Sequence, residues 1–248
     1  MNIAIFDSGL GGLSTLKQIE DISNNYYYLA DMKRLPYGDK TANEIKNYST
    51  EIVKFLERYN IDYFIVACNT ICASAIDHLN ENFNYKFISI IDLAIEMAQK
   101  CDGDILVLAT KRTCKSNVYK NRLSNEKRKV YEVSAQKLVP LIEDGLKDIK
   151  QLDDALENYL KIANDKKIKN IILGCTHYPI IKEKIKEHLK YEANIINPSD
   201  ILREKVESSG KFTKIKIFTT KIRTNTNDMV DMVFKRPMKI QEVSLKNY

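Results

Sequence analysis

Two short stretches of the chain repeat one another, and the repeat narrows the folds open to it. Ile65-Val66-Ala67-Cys68-Asn69-Thr70 matches Ile172-Leu173-Gly174-Cys175-Thr176-His177 in character. Each is an apolar run, a small residue, a cysteine, then polar residues that open a helix. At nearly the same offset, Ile3 leads into Asp7-Ser8-Gly9 and Ile105 leads into Ala109-Thr110. Two similar halves of about 100 residues each, an ordinary domain size, account for the pattern. The expected division is a first α/β domain over 1–95, completed by about 202–248, and a second over 96–201, with the boundary near Ile91–Cys101. The residues after about Ser199 exceed two equal halves and are expected to return to the first.

Short apolar runs alternate with helical periodicity through the chain. Strands are expected at Asn2–Phe6, Tyr26–Leu29, Asp62–Ala67, Tyr85–Ile91, Asp104–Ala109, Arg128–Val133, Ile168–Leu173, Asn194–Ile196 and Lys214–Phe218. Several lack polar alternation, as strands covered on both faces do. Between them, Ile45, Tyr48, Ile52, Phe55 and Tyr59 recur at helical spacing. The alternation predicts an α/β protein with mainly parallel sheets.

Composition narrows the classes further. The 248 residues carry a net charge of +6, spread over many lysines with no arginine stripe or aromatic-basic repeat. That reads as a solvated surface rather than a nucleic-acid face, and a mild positive bias also attracts anionic substrates. No run of about 18 apolar residues occurs, so no membrane span is expected. The opening Met1-Asn2-Ile3-Ala4-Ile5-Phe6-Asp7 reads as a strand, not a signal peptide. An odd cysteine count of five, with no secretion signal, points to reduced thiols in a cytoplasm.

In open α/β sheets, ligands bind beyond the carboxyl ends of the strands. Cys68 and Cys175 both fall there, each at the expected start of a helix. A helix N-terminus lowers a thiol pKa, and its free N–H groups hold carboxylates. Polar residues follow each cysteine, where a core would continue apolar. Cys72, Cys101 and Cys114 read instead as ordinary core cysteines. Zinc is disfavoured, because the spacings around Cys68, Cys72, Cys175 and His177 form no CxxC pair and no HExxH. Asp7-Ser8-Gly9-Leu10-Gly11-Gly12 fails both GxGxxG and the GK[ST] ending. Asp7 is expected as a site carboxylate and Ser8 as a ligand donor. His177, two residues past Cys175, suits proton handling. His78 and His188 lie on expected helical surfaces, and Glu143 is on pattern alone a helix acid. A cysteine hydrolase using Cys175 and His177 is disfavoured, since residues two apart on a helical turn do not face each other. A non-enzymatic binding protein for acidic ligands is a further reading.

Six segments in order resemble the glutamate racemases of the aspartate/glutamate racemase superfamily. They are Asp7-Ser8-Gly9-Leu10-Gly11-Gly12, Asp31-Met32-Lys33-Arg34-Leu35-Pro36-Tyr37-Gly38, Cys68-Asn69-Thr70, the Ala109-Thr110, Thr113, Ser116, Tyr119 spacing, Val139-Pro140-Leu141-Ile142-Glu143, and Gly174-Cys175-Thr176-His177-Tyr178-Pro179. The resemblance implies two pseudo-symmetric α/β domains with the active site at their interface and no cofactor. It implies Cys68 and Cys175 as the two catalytic acid/bases, facing the Cα proton of D- and L-glutamate respectively. Asp7 and His177 would assist, with Glu143 near Cys175. Substrate contacts would come from Asp7, Ser8, Tyr37, Gly38, Asn69, Thr70, Thr176 and His177, with Thr110 or Thr113. It further implies a homodimer and the supply of D-glutamate to peptidoglycan. The Cys-Thr-His form favours glutamate over aspartate, the nearest alternative substrate. Three departures stand out: Ala30 where Gly is frequent, Ile71-Cys72 after the first Cys-Asn-Thr, and Ser134-Ala135-Gln136 where Ala-Cys-Pro is common.

Overall fold

The structure, a computed structural model, describes residues 1–210 and 213–245. Its strands are β1 (Asn2–Asp7), β2 (Asn25–Ala30), β3 (Tyr63–Val66), β4 (Lys86–Ser89), β5 (Ile105–Ala109), β6 (Val130–Ser134), β7 (Asn170–Gly174), β8 (Asn194–Ile196), β9 (Lys214–Thr219) and β10 (Ile240–Glu242). They form two sheets, in the orders β10-β9-β2-β1-β3-β4 and β6-β5-β7-β8. Every pairing between these strands is parallel. The chain is therefore an α/β protein with two parallel sheets, and the order β2-β1-β3-β4 is repeated by β6-β5-β7-β8. This is the arrangement that the cysteine repeat foreshadows.

The central strands are apolar because helices cover both of their faces. Ile3, Ile5 and Phe6 of β1, and Ile105, Val107 and Leu108 of β5, are fully buried. Each such side chain contributes about 1.5–3 kcal/mol on leaving water. The helix Ala42–Glu57 begins at a capping box: Thr41 accepts from the Glu44 backbone N–H, and the Glu44 side chain returns to the Thr41 N–H. It buries Ile45, Ile52 and Phe55 against the sheet. The apolar spacing runs on to Tyr59, but the helix ends at Glu57 and Asn60 takes a left-handed φ of 50°. Tyr59 instead stacks on Tyr27 and Phe218, at 4.7 and 5.3 Å between ring centroids.

Register brings the strand ends into line. Asp7 pairs with Ala30, and Ala30 with Thr219. Ala109 pairs with both Ser134 and Gly174. Because all strands run the same way, their exits share one edge of each sheet. Ser8 follows β1 directly and Cys68 stands two residues past β3; Thr110 and Cys175 follow β5 and β7 directly. One strand, β10, escapes the sequence pattern. Three residues long and polar after Ile240, it carries neither alternation nor an apolar run.

Candidate active site

A cavity of about 640 Å³ opens at these strand exits. From the first sheet it receives Ser8, Tyr37, Gly38, Cys68, Asn69 and Thr70. From the second it receives Thr110, Glu143, Cys175, Thr176 and His177. Both cysteines are buried free thiols in the same cavity wall. Asp7 and Thr113 lie behind that wall, at 1 % and 0 % exposure.

The loop after β1 ties the halves together. Asp7 accepts a hydrogen bond from the Ser8 hydroxyl (3.2 Å) through one carboxylate oxygen and from the Thr176 hydroxyl (2.8 Å) through the other. Ser14 donates to the Thr176 carbonyl at 3.0 Å. The Tyr28 hydroxyl holds the loop from below by donating to the Gly9 carbonyl at 2.6 Å. A β-carbon on Gly11 would lie 2.6 Å from both His177 Nδ1 and Thr176 Oγ1. The glycines of this loop thus permit close approach to the second half rather than cradling a phosphate.

Cys68 caps the 14-residue helix Asn69–Asn82. Its sulfur lies 3.3 Å from the Ser8 hydroxyl. Burial, then the neighbouring Asp7 carboxylate, pushes this thiol well above its ordinary pKa, against smaller lowering by Ser8 and by the backbone N–H groups of Ile71 and Ser8. The lowering expected from the helix N-terminus is therefore outweighed: desolvation of a thiolate costs more than a partial dipole charge returns.

Cys175 departs from expectation in another way. It is followed by a turn and the short 3₁₀ segment Tyr178–Ile181, not by an α-helix. In that turn the His177 ring folds back, with Nδ1 at 3.7 Å from the Cys175 sulfur. The premise that residues two apart cannot meet holds for a helix and fails here. On its other side, His177 Nε2 lies 3.2 Å from Glu143 Oε1. Burial opposes charge on this imidazole, yet its contacts with Cys175 and Glu143 hold its pKa well above the usual histidine value. His177 thus sits between a sulfur and a carboxylate, in surroundings that favour its charged form.

The remaining wall is braced from outside. Asp31, fully buried, accepts hydrogen bonds from the hydroxyls of Tyr37 (2.5 Å) and Thr220 (2.7 Å) and from Arg34. Burial beside Asp31 raises the Tyr37 phenol well above its usual pKa, so it stays neutral. The Tyr119 hydroxyl fixes the Asn69 amide by donating to its oxygen at 2.7 Å. The hydroxyls of Thr70 and Thr110 meet at 2.9 Å across the halves. The arrangement can hold a small polar ligand between two thiols, with hydroxyl and amide groups around it.

Sequence reasoning missed several wall residues, among them Asp39, Lys111, Gln136, Lys137 and Arg223. Gln136 belongs to the tripeptide that departs from the family pattern, and a β-carbon on Gly38 would meet its side-chain oxygen at 2.7 Å. Arg223 follows β9, where the repeat offers no counterpart. His78 bonds Thr50 at 3.0 Å and His188 lies past the helix Lys182–Glu187, both away from the cavity. Among the described residues no three His, Cys, Asp or Glu side chains cluster as metal ligands, and no helix is long and apolar enough to cross a membrane.

Comparison with known proteins places this geometry. The family model described as Asp/Glu/Hydantoin racemase matches residues 20–206. The chain is 32% identical over 256 residues to the glutamate racemase of Hydrogenobaculum sp. (strain Y04AAS1), covering 100% of this chain and 98% of that protein. It is 35% identical over 255 residues to the glutamate racemase of Persephonella marina, covering 99% and 98%. The crystal structure of glutamate racemase from Francisella tularensis in complex with D-glutamate superposes with a TM-score of 0.89, at 30% identity over 100% of this chain and 98% of that one.

Proposed function

The chain belongs to the Asp/Glu/Hydantoin racemase family and is an amino-acid racemase, and on that premise we propose that it interconverts L- and D-glutamate with two cysteines and no cofactor. The observation that carries this reading is the presence of Cys68 and Cys175 at equivalent strand exits of two parallel sheets, lining one cavity.

Racemisation removes the Cα proton from one face and returns a proton to the other. With D-glutamate, Cys68 as thiolate takes the proton, forming an S–H bond as the Cα–H bond breaks. Cys175 as thiol then gives its proton to the opposite face of the carbanion and is left as thiolate. The reverse reaction exchanges these roles. The electron pair left on Cα is stabilised by hydrogen bonds to the substrate carboxylate, for which Ser8, Asn69, Thr70 and Thr176 are placed in the wall. Tyr37, Gly38 and Thr110 complete the substrate contacts. Asp7 and His177, with Glu143 behind the latter, manage the protons of the two sulfurs. Glutamate also agrees with the names of the relatives and with the ligand of the Francisella structure.

The wider reading has two domains, 1–95 with 202–248 and 96–201, a homodimer, a cytoplasmic location and supply of D-glutamate to peptidoglycan. The pairing of β9 with β2 supports assigning the late segment to the first domain.

The test is to incubate the purified protein with L-glutamate in deuterated water without added cofactor. D-glutamate carrying deuterium at Cα is expected. Cys68→Ser or Cys175→Ser is expected to lower turnover by at least about 1,000-fold, as loss of an acid/base does. Full activity in either variant ends the two-thiol reading. Turnover of L-aspartate in place of L-glutamate transfers the assignment to aspartate.

A further inference from the structure

The segment between β9 and the helix Thr226–Phe234 crosses from the first sheet to the second half of the site. The Arg223 backbone N–H is fixed by the Thr226 hydroxyl at 2.8 Å. Its guanidinium reaches both halves. Nη2 donates to the Met32 carbonyl at 3.1 Å, and Nη1 lies 3.7 Å from Glu143 Oε2. Two residues on, the Asn225 amide donates to the Glu143 carbonyl. Glu143 is thus clasped at side chain and main chain by a segment that belongs to neither its helix nor its sheet. Its other carboxylate oxygen faces His177, which faces Cys175.

From this geometry we propose that Arg223 is a positioning residue for the proton chemistry at Cys175: it keeps the Glu143 carboxylate turned toward His177. The inference rests on the racemase reading above. Arg223 lines the cavity, but its side-chain hydrogen bond goes to the Met32 carbonyl and its charge pairs with Glu143 at 3.7 Å, so its effect is read through Glu143.

The charges around Glu143 agree. His177 faces it from the turn after β7 and Arg223 from the segment after β9. The loop after β1 brings the uncharged Gly9 near it, its carboxylate lying 3.4 Å from a β-carbon placed there. Tyr159 from the helix Ile149–Lys166, and Lys111 and Lys137 from the second half, line the same cavity. Burial raises the Glu143 carboxyl pKa, but His177 and then Arg223 hold it below the ordinary glutamate value. Loss of the cation lets that pKa rise, so Glu143 protonates, and releases His177, at higher pH.

The experiment compares Arg223→Met and Arg223→Lys with wild type, following glutamate racemisation in both directions against pH. For Arg223→Met, kcat is expected to fall about tenfold, with KM unchanged within about twofold and the acid limb of kcat/KM moved up by as much as about one pH unit. Arg223→Lys keeps the charge and is expected to restore the acid limb. If KM rises while kcat holds, the guanidinium binds substrate and the inference is overturned. Unchanged kinetics in Arg223→Met overturn it too, while leaving the racemase reading intact. Wild type that does not racemise glutamate removes the racemase reading and this inference with it. Should Arg223→Met unfold, Arg223→Gln takes its place: a raised acid limb with KM unchanged supports the role, and wild-type kinetics or a rise confined to KM overturn it.

Discussion

Cys68 and Cys175 occupy matching places in repeated halves, yet their surroundings differ. Cys68 sits at the head of a long helix, closed in by Ser8 and beside the Asp7 carboxylate, where burial and negative charge keep the proton on sulfur. Cys175 sits in a turn against an imidazole whose pKa is raised by its contacts and which is backed by Glu143. The first sulfur has a carboxylate for a neighbour; the second has an imidazole. The proposed reaction, in which each thiol both gives and takes a proton, would be served by two unlike solutions. Backbone symmetry fixes where the sulfurs stand, and the side chains around them break that symmetry.

The difference can be probed from the Cys175 side first. His177→Asn removes the imidazole while keeping a polar group of similar reach. Inversion of either enantiomer is expected to fall about 100-fold, the scale of a lost proton-transfer group. Deuterium exchange into D-glutamate, which on the proposed mechanism needs only the Cys68 face, should fall much less when followed by mass spectrometry. Equal loss of inversion and exchange would show that the two sides do not act separately.

A smaller effect is expected where the halves touch. Gly11→Ala places a β-carbon within contact of His177 and Thr176. Overpacking of this kind costs about 1–3 kcal/mol. A thermal-unfolding midpoint lower by several degrees is expected, together with reduced turnover. A midpoint and rate equal to wild type would mean that the loop yields freely.

The mildest test is on the Cys68 side. Asp7→Asn removes the negative charge that helps raise the Cys68 thiol. Its pKa should drop. Alkylation of Cys68, read by peptide mass spectrometry, should then extend to lower pH, while that of Cys175 keeps its profile. An unmoved Cys68 profile would leave burial as the sole cause of the raised value.

Much of this architecture is legible in the residues because burial on two faces leaves a strong mark. The runs at Ile3, Ile65, Ile105 and Ile171 have no polar alternation, and all became central strands. The two cysteines were legible because polar residues break each apolar run at the same point. What escaped notice depends on long-range contact. The turn after Cys175 looks like a helix start in sequence, since Thr176-His177 supplies the same polar onset as Asn69-Thr70. Only the docking of the loop after β1, with Gly11 against His177 and Asp7 on Thr176, distinguishes them. Tyr37 and Gly38 were legible through family likeness alone, since their place in the wall depends on the buried Asp31 far from any periodic pattern. Arg223 had no signal, because it follows a strand without a partner in the repeat.

That unmatched strand has an architectural effect. By lying alongside β2 in the same direction, β9 delivers its exit next to Asp31, so Thr220 braces Asp31 behind the wall and Arg223 reaches the wall itself. One flank of the pocket is consequently assembled only after nearly the whole chain has been threaded. A ribosome-bound fragment ending before β9 holds both sulfurs but not this flank, which makes the last strands the step that finishes the enclosure.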